Sequence, residues 1–180
     1  MGRAGHRPAA RMCDARPLMT LDRRQRRATL RQLADAPRRI ALASTAPLIA
    51  VPVPGSWTAQ QVVLHLVAVE VEVFQRRLRD LATAVEPRWA WIEPGPAEVG
   101  PGETLAETVA RFAAERAATL AWVTTLDDAG WRRFGHHATL GMLDVGGLLA
   151  VATAHDAEHL AALLAAGPSS RRPPRARPKG

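Results

Sequence analysis

Residues 59–84 run without proline or glycine and are apolar around most of a helical circumference, with Val62, Val63, Leu64, Leu66, Val67, Val69, Val71, Val73 and Phe74 leaving no continuous polar stripe. The β-branched residues permit a strand, but the uninterrupted length favours a helix. A helix that is apolar on all sides needs neighbours on several sides. This segment is therefore the centre around which the rest must assemble. Thr58 with Gln61 three residues later is the capping-box pattern that starts it.

Three further segments read as helices. The first runs from about Leu21 to Thr45, with Leu21, Leu30, Leu33, Ile40 and Leu42 as apolar positions, Thr20 as the expected N-cap and Pro37 as an expected bend or break. Thr104 and Glu107 form a second capping box, opening a helix from about Leu105 to Leu126. The last covers about Val145 to Ala166, with Asp144 as its expected cap and Gly167-Pro168 as its stop. Residues 46–57, 86–103 and 127–143 are read as loops, the second on the strength of its four prolines and three glycines. Trp89 and Trp91 inside it are expected to fold over an edge of the core. Four long helices with long connections predict an all-α fold, a four-helix bundle over residues 19–167.

The formal charge of +7 suggests a nucleic-acid binder until it is located. Residues 1–18 hold four Arg and one Asp (+3) and residues 168–180 hold four Arg and one Lys (+5), so residues 19–167 carry 7 − 8 = −1. Both tails are expected to be disordered, translation to start naturally near Met19, and the folded part to offer no phosphate-binding surface and no specific nucleic-acid partner. Cys13 is the only cysteine, so no intrachain disulfide forms and a reducing, cytoplasmic setting is expected. There is no run of eighteen apolar residues and no apolar stretch behind the basic N-terminus, so neither a membrane span nor a secretory signal is expected.

His155-Asp156-Ala157-Glu158-His159 carries the chemistry. Histidines four apart stand one above the other on a helix and can hold one divalent ion. Leu148, Ala152, His155, His159 and Ala162 share a side, which points inward. Two neutral imidazoles buried without a partner are costly, and a metal accounts for them. His65, among apolar residues of the central helix, reads by itself as a core histidine bonded to a carbonyl; on a facing helix it supplies a third nitrogen and leaves positions open for water or substrate. The spelling H-x-x-E-H also matches the inverted zincin motif, but no acidic residue follows His159 to complete that peptidase site.

Three stretches together resemble the DinB-like (DinB/YfiT-type) superfamily of metal-binding bundles. Trp57 to Glu70 resembles its W-S/T-x-x-E-V-L-x-H-L-x-x-x-E signature, Arg116 to Trp131 its third helix with the Leu-x-x-x-x-Trp that follows, and Gly141 to Leu160 its closing helix ending in HD-x-x-H. The resemblance implies that His65, His155 and His159 bind a divalent metal inside a four-helix bundle. Gln61, where the family often has Glu, and the glycine-rich start Asp144-Val145-Gly146-Gly147 depart from its pattern.

Glu72, seven residues after His65 and so about 10 Å further along the same face, is the candidate general base or hydrogen-bond acceptor beside the ligands. Glu70 is turned about 140° from His65 and is expected to pair with an arginine, Arg77 or one from another helix. Asp156 and Glu158 are candidates to orient the imidazoles, Trp57 to wall the site, and His136 and His137 are expected to be exposed near its mouth. The ligand set suits Zn²⁺ or Ni²⁺. The expected function is that of an enzyme acting on a small-molecule substrate, the ion activating water for hydrolysis or a thiol for transfer. The resemblance adds low-molecular-weight thiols such as mycothiol or bacillithiol, and a homodimer, as family properties. Mycothiol-dependent isomerases carry an extra C-terminal domain with no counterpart here. The alternative function is a non-catalytic, stress-associated bundle in which the metal is structural.

Overall fold

The computed structural model describes residues 20–45 and 57–166. The expected tails, the start at Met19, the stop at Gly167-Pro168 and nearly all of the 46–57 connection lie outside those residues.

Four long helical rods form the framework. Helix α1 spans Arg23–Ser44, and its N-cap is Asp22, not Thr20: Asp22 accepts from the Gln25 backbone N–H while the Gln25 side chain accepts from the Asp22 N–H. Pro37 neither ends nor interrupts α1; its ring is buried in the bundle, which offsets the hydrogen bond it removes. The second rod is composite: α2 (Ala59–Val69) passes through a π-helical segment, Glu70–Gln75, into α3 (Arg76–Thr83). The Thr58–Gln61 capping box starts it, and eight consecutive residues from Val62 to Val69 are buried, as the apolar circumference requires. Helix α4 spans Leu105–Thr124 behind the Thr104–Glu107 box and buries a stripe of Thr108, Phe112, Arg116, Thr119 and Val123.

The connections are less irregular than expected. Residues 86–103 contribute β1 (Arg88–Trp89), and residues 127–143 contribute a short helix α5 (Asp128–Trp131) followed by β2 (Phe134–His137) and β3 (Gly141–Asp144). The strands form a sheet of order β1-β2-β3, with β1 parallel to β2 and β2 antiparallel to β3. Strands of two to four residues are too short to display a period of two, which is why they read as loop. Gly135 is required in β2, because a Cβ there would stand 2.5 Å from the Trp89 ring and 2.7 Å from the Pro87 carbonyl. Trp89 is buried and donates its indole N–H to Asp80, whereas Trp91 is exposed, so only one of the two covers the core.

Helix α6 (Val145–Ala166) continues directly from β3, with the Asp144 carboxylate accepting from the Gly147 N–H at 2.7 Å. It is long and apolar enough by length and composition to cross a bilayer, with a mean hydropathy of 1.2. Here it packs along α1 and carries the ion-pairing Asp156. Two apolar clusters fill the bundle. One joins Val73, Phe74, Leu78, Leu81, Trp89, Leu148 and Leu149; the other joins Ile40, Val63, Phe112, Leu160 and Leu163. Between them, judged by position along each helix, lie Glu70, Arg116 and Asp156.

Candidate metal centre

His65 is fully buried on α2, and His155 and His159 are half-buried on successive turns of α6. Their rings meet. The Nε2 of His155 lies 3.2 Å from the Nε2 of His65 and 3.2 Å from that of His159, and one nitrogen from each residue falls within 4.8 Å of the others. Nitrogens held about 2.05 Å from an ion at the tetrahedral angle stand about 3.3 Å apart. The observed spacing is that of ligands around a common centre.

The tautomers favour this use. His65 Nδ1 donates to the Pro94 carbonyl at 2.7 Å, so in the neutral ring Nε2 is the free lone pair facing the other two histidines. Burial, followed by neighbouring His159, His65 and Arg116, pushes His155 down to about 3. Burial and then His65 lower His159, against the opposing pull of Glu158 and Glu93. His155 and His159 are therefore held neutral near pH 7, as metal ligation requires. With His65 Nε2 presenting a lone pair, His155 Nε2 either donates to it or accepts from His159, so one of the two close approaches is left without a proper hydrogen bond; a cation at the centre would engage all three nitrogens. The donor set fits a divalent ion.

The walls are apolar. Trp57, just before the N-cap of α2, sets its ring 4.9 Å from that of His65 and stacks on His159 at 6.5 Å, as expected of a wall residue. Phe74, beyond the π-helical segment, meets His155 edge-on at 6.4 Å. On α6 the inward stripe is Leu148, Leu149, Ala152, Asp156, Leu160 and Leu163; the histidines sit at its edge and Ala162 is exposed.

The carboxylates are placed differently from expectation. Glu72 is exposed, and no hydrogen bond or ion pair joins it to the histidines. The π-helical segment begins two residues before it and breaks the α-helical count that would have put it on the His65 face. Glu70 is buried and pairs with Arg116 of α4, an arginine from another helix, at 2.9 Å. Asp156 takes the other side of the same guanidinium, at 2.7 and 3.2 Å, and is not an imidazole acceptor. Glu158 is exposed. The carboxylate that reaches the centre is Glu93, from the proline-rich connection, whose Oε1 lies 3.4 Å from His65 Nε2. Sequence reading passed over Glu93 because nothing periodic marks a loop residue; its only local signal is the stiff run Glu93-Pro94-Gly95-Pro96. His136 is half-buried beside Glu86, and His137 is buried, with Nδ1 accepting from the Thr139 and Leu140 N–H groups, so the expected exposure of the pair does not hold.

A family model for the DinB superfamily matches residues 22–163. The chain belongs to the DinB superfamily. Its fold is that of YfiT from Bacillus subtilis, described as a probable metal-dependent hydrolase with an unusual four-helix bundle topology: the TM-score is 0.69 at 20% identity, over 84% of this chain and 90% of that one. No curated protein matches the sequence significantly. In this DinB-superfamily bundle the three histidines that resembled the family signature are the three that converge.

Proposed function

We propose that the protein is a metal-dependent hydrolase acting on a small-molecule substrate, with Zn²⁺ or Ni²⁺ held by His65, His155 and His159. The observation that carries this reading is the convergence of three imidazole nitrogens from two helices, 3.2 Å apart in two of the three pairs. Three histidine ligands leave coordination positions open, whereas closed structural sites use four protein ligands. When bound, the ion supplies a Lewis acid that makes a water nucleophilic at neutral pH. The chain's own residues prepare the place for it. The Pro94 carbonyl fixes the orientation of His65, burial keeps His155 deprotonated, and Trp57 and Phe74 line the approach with apolar surface that raises the strength of any charge interaction inside. The description of YfiT as a probable metal-dependent hydrolase favours hydrolysis over thiol transfer.

The test is elemental analysis of purified wild type and His155→Ala, followed by ester, amide and thiol-conjugation panels on the loaded proteins. Near-stoichiometric metal in the wild type, its loss in the variant and metal-dependent hydrolysis support the reading. Equal metal content in both proteins removes His155 from the site. A chelator that unfolds the protein, with no turnover in any panel, replaces the enzyme by the structural bundle.

A further inference from the structure

We propose that Glu93 is a fourth protein ligand of the metal centre, delivered by the connection between β1 and α4. The proposal rests on the three-histidine reading above and adds a residue and an element to it.

The distance comes first. Glu93 Oε1 stands 3.4 Å from His65 Nε2, against the about 3.3 Å expected between two ligands on one ion. That spacing matches one ligand pair; among the described residues the three histidines alone form the group whose donor atoms all lie within 4.8 Å of one another, so Glu93 completes the set by a rotation of its half-exposed side chain. The second argument is how the carboxylate is held. Glu93 directly precedes Pro94, whose carbonyl receives the His65 Nδ1–H at 2.7 Å, and Ala97 donates its N–H to the Leu64 carbonyl at 3.3 Å, one residue before His65. Both anchors lie just after Glu93, at the first and fourth residues beyond it, and a residue before proline is biased to extended conformations. The side chain is half-exposed, so it reaches inward from the rim and leaves the protein interior to the histidines.

Charge supplies the third argument. Three neutral imidazoles leave a divalent ion with its full +2 among half-buried groups, and one carboxylate halves that. The other acidic residues of the α2–α6 side are committed elsewhere: Glu70 and Asp156 to Arg116, Glu72 and Glu158 to solvent. Three histidines and one carboxylate fill a tetrahedral ion, so the open position that the proposed function needs is kept by expansion to five or six coordination.

The experiment uses the full chain as wild type, Glu93→Gln, Glu93→Ala and His155→Ala. Each is titrated with Zn²⁺ against a chromophoric chelator and, separately, with Co²⁺ while its visible absorption is recorded. Because Glu93 is half-exposed, both substitutions leave the apo fold intact, which circular dichroism verifies. The expected result is an affinity about tenfold or more weaker for both Glu93 variants than for wild type, with Co²⁺ bands that shift and intensify as the coordination number drops. Zinc affinity within twofold of wild type together with an unchanged Co²⁺ spectrum overturns the assignment while leaving the three-histidine site intact. A wild-type protein that takes up neither ion overturns both readings.

Discussion

Replacing Arg116 by methionine isolates what the buried polar cluster contributes. The guanidinium is 2% exposed and lies between Glu70, 1% exposed, and Asp156, 5% exposed. It bonds Glu70 Oε2 through Nε at 3.0 Å and both oxygens of Asp156 at 2.7 and 3.2 Å; Thr119 donates to the remaining Glu70 oxygen. Methionine of similar length fills the space but strands two buried carboxylates. Breaking a buried pair in this way costs about 3–5 kcal/mol. For a domain of this size, at about 2–4 °C per kcal/mol, that is a fall in Tm of about 6–20 °C. The pH dependence carries a sign. Burial raises Asp156 above the usual carboxylate range while Arg116 pulls it down. Without Arg116 it rises further, so the penalty is full above that raised value, shrinks as pH falls below it and is gone near the unfolded-chain value of about 3.9. Urea unfolding followed by circular dichroism at pH 8, 7, 6 and 5 should show a deficit relative to wild type that shrinks toward pH 5. The triple variant Glu70→Gln, Arg116→Met, Asp156→Asn, which strands no charge, should regain most of the loss. A deficit below about 1 kcal/mol at pH 7.5, or one that grows on acidification, refutes the reasoning.

Other outcomes follow from the same geometry. In the presence of chelator, stability should be full above about pH 6.5, the value of an unfolded histidine, and fall as pH drops toward the value of about 3 that burial and its neighbours impose on His155, with a slope of up to about 1.4 kcal/mol per pH unit for each proton taken up; a flat profile between pH 7 and 5 contradicts a buried, neutral His155. Glu72→Ala should leave zinc affinity within twofold of wild type, since the side chain faces solvent; a tenfold loss in a competition titration returns Glu72 to the site. Gly135→Ala should cost about 1–3 kcal/mol in urea unfolding, because its Cβ would stand 2.5 Å from the Trp89 ring; an unchanged midpoint shows that the sheet gives way freely.

What could be read in advance was whatever is written within a few residues. The Thr58–Gln61 and Thr104–Glu107 boxes are local hydrogen bonds between positions three apart, and both stand where expected. Asp22–Gln25 is equally local, but Thr20 and Asp22 are both capping residue types two positions apart, and residue type alone does not choose between them. The π-helical turn at Glu70–Gln75 has no signature in residue types, and with it went the placement of Glu72.

The chain alone determined that four amphipathic or wholly apolar segments would pack as a bundle, because helical period and end signals are properties of neighbouring residues. It also supplied the His155/His159 pair, because one helical turn is a local distance. His65 stands 90 residues away from His155 and Glu93 lies in a loop without period. Their meeting, like the pairing of Glu70 and Asp156 on Arg116 and the three short strands, depended on how the rods pack. Such contacts form only when apolar burial brings distant segments together, and no sum of local preferences contains them.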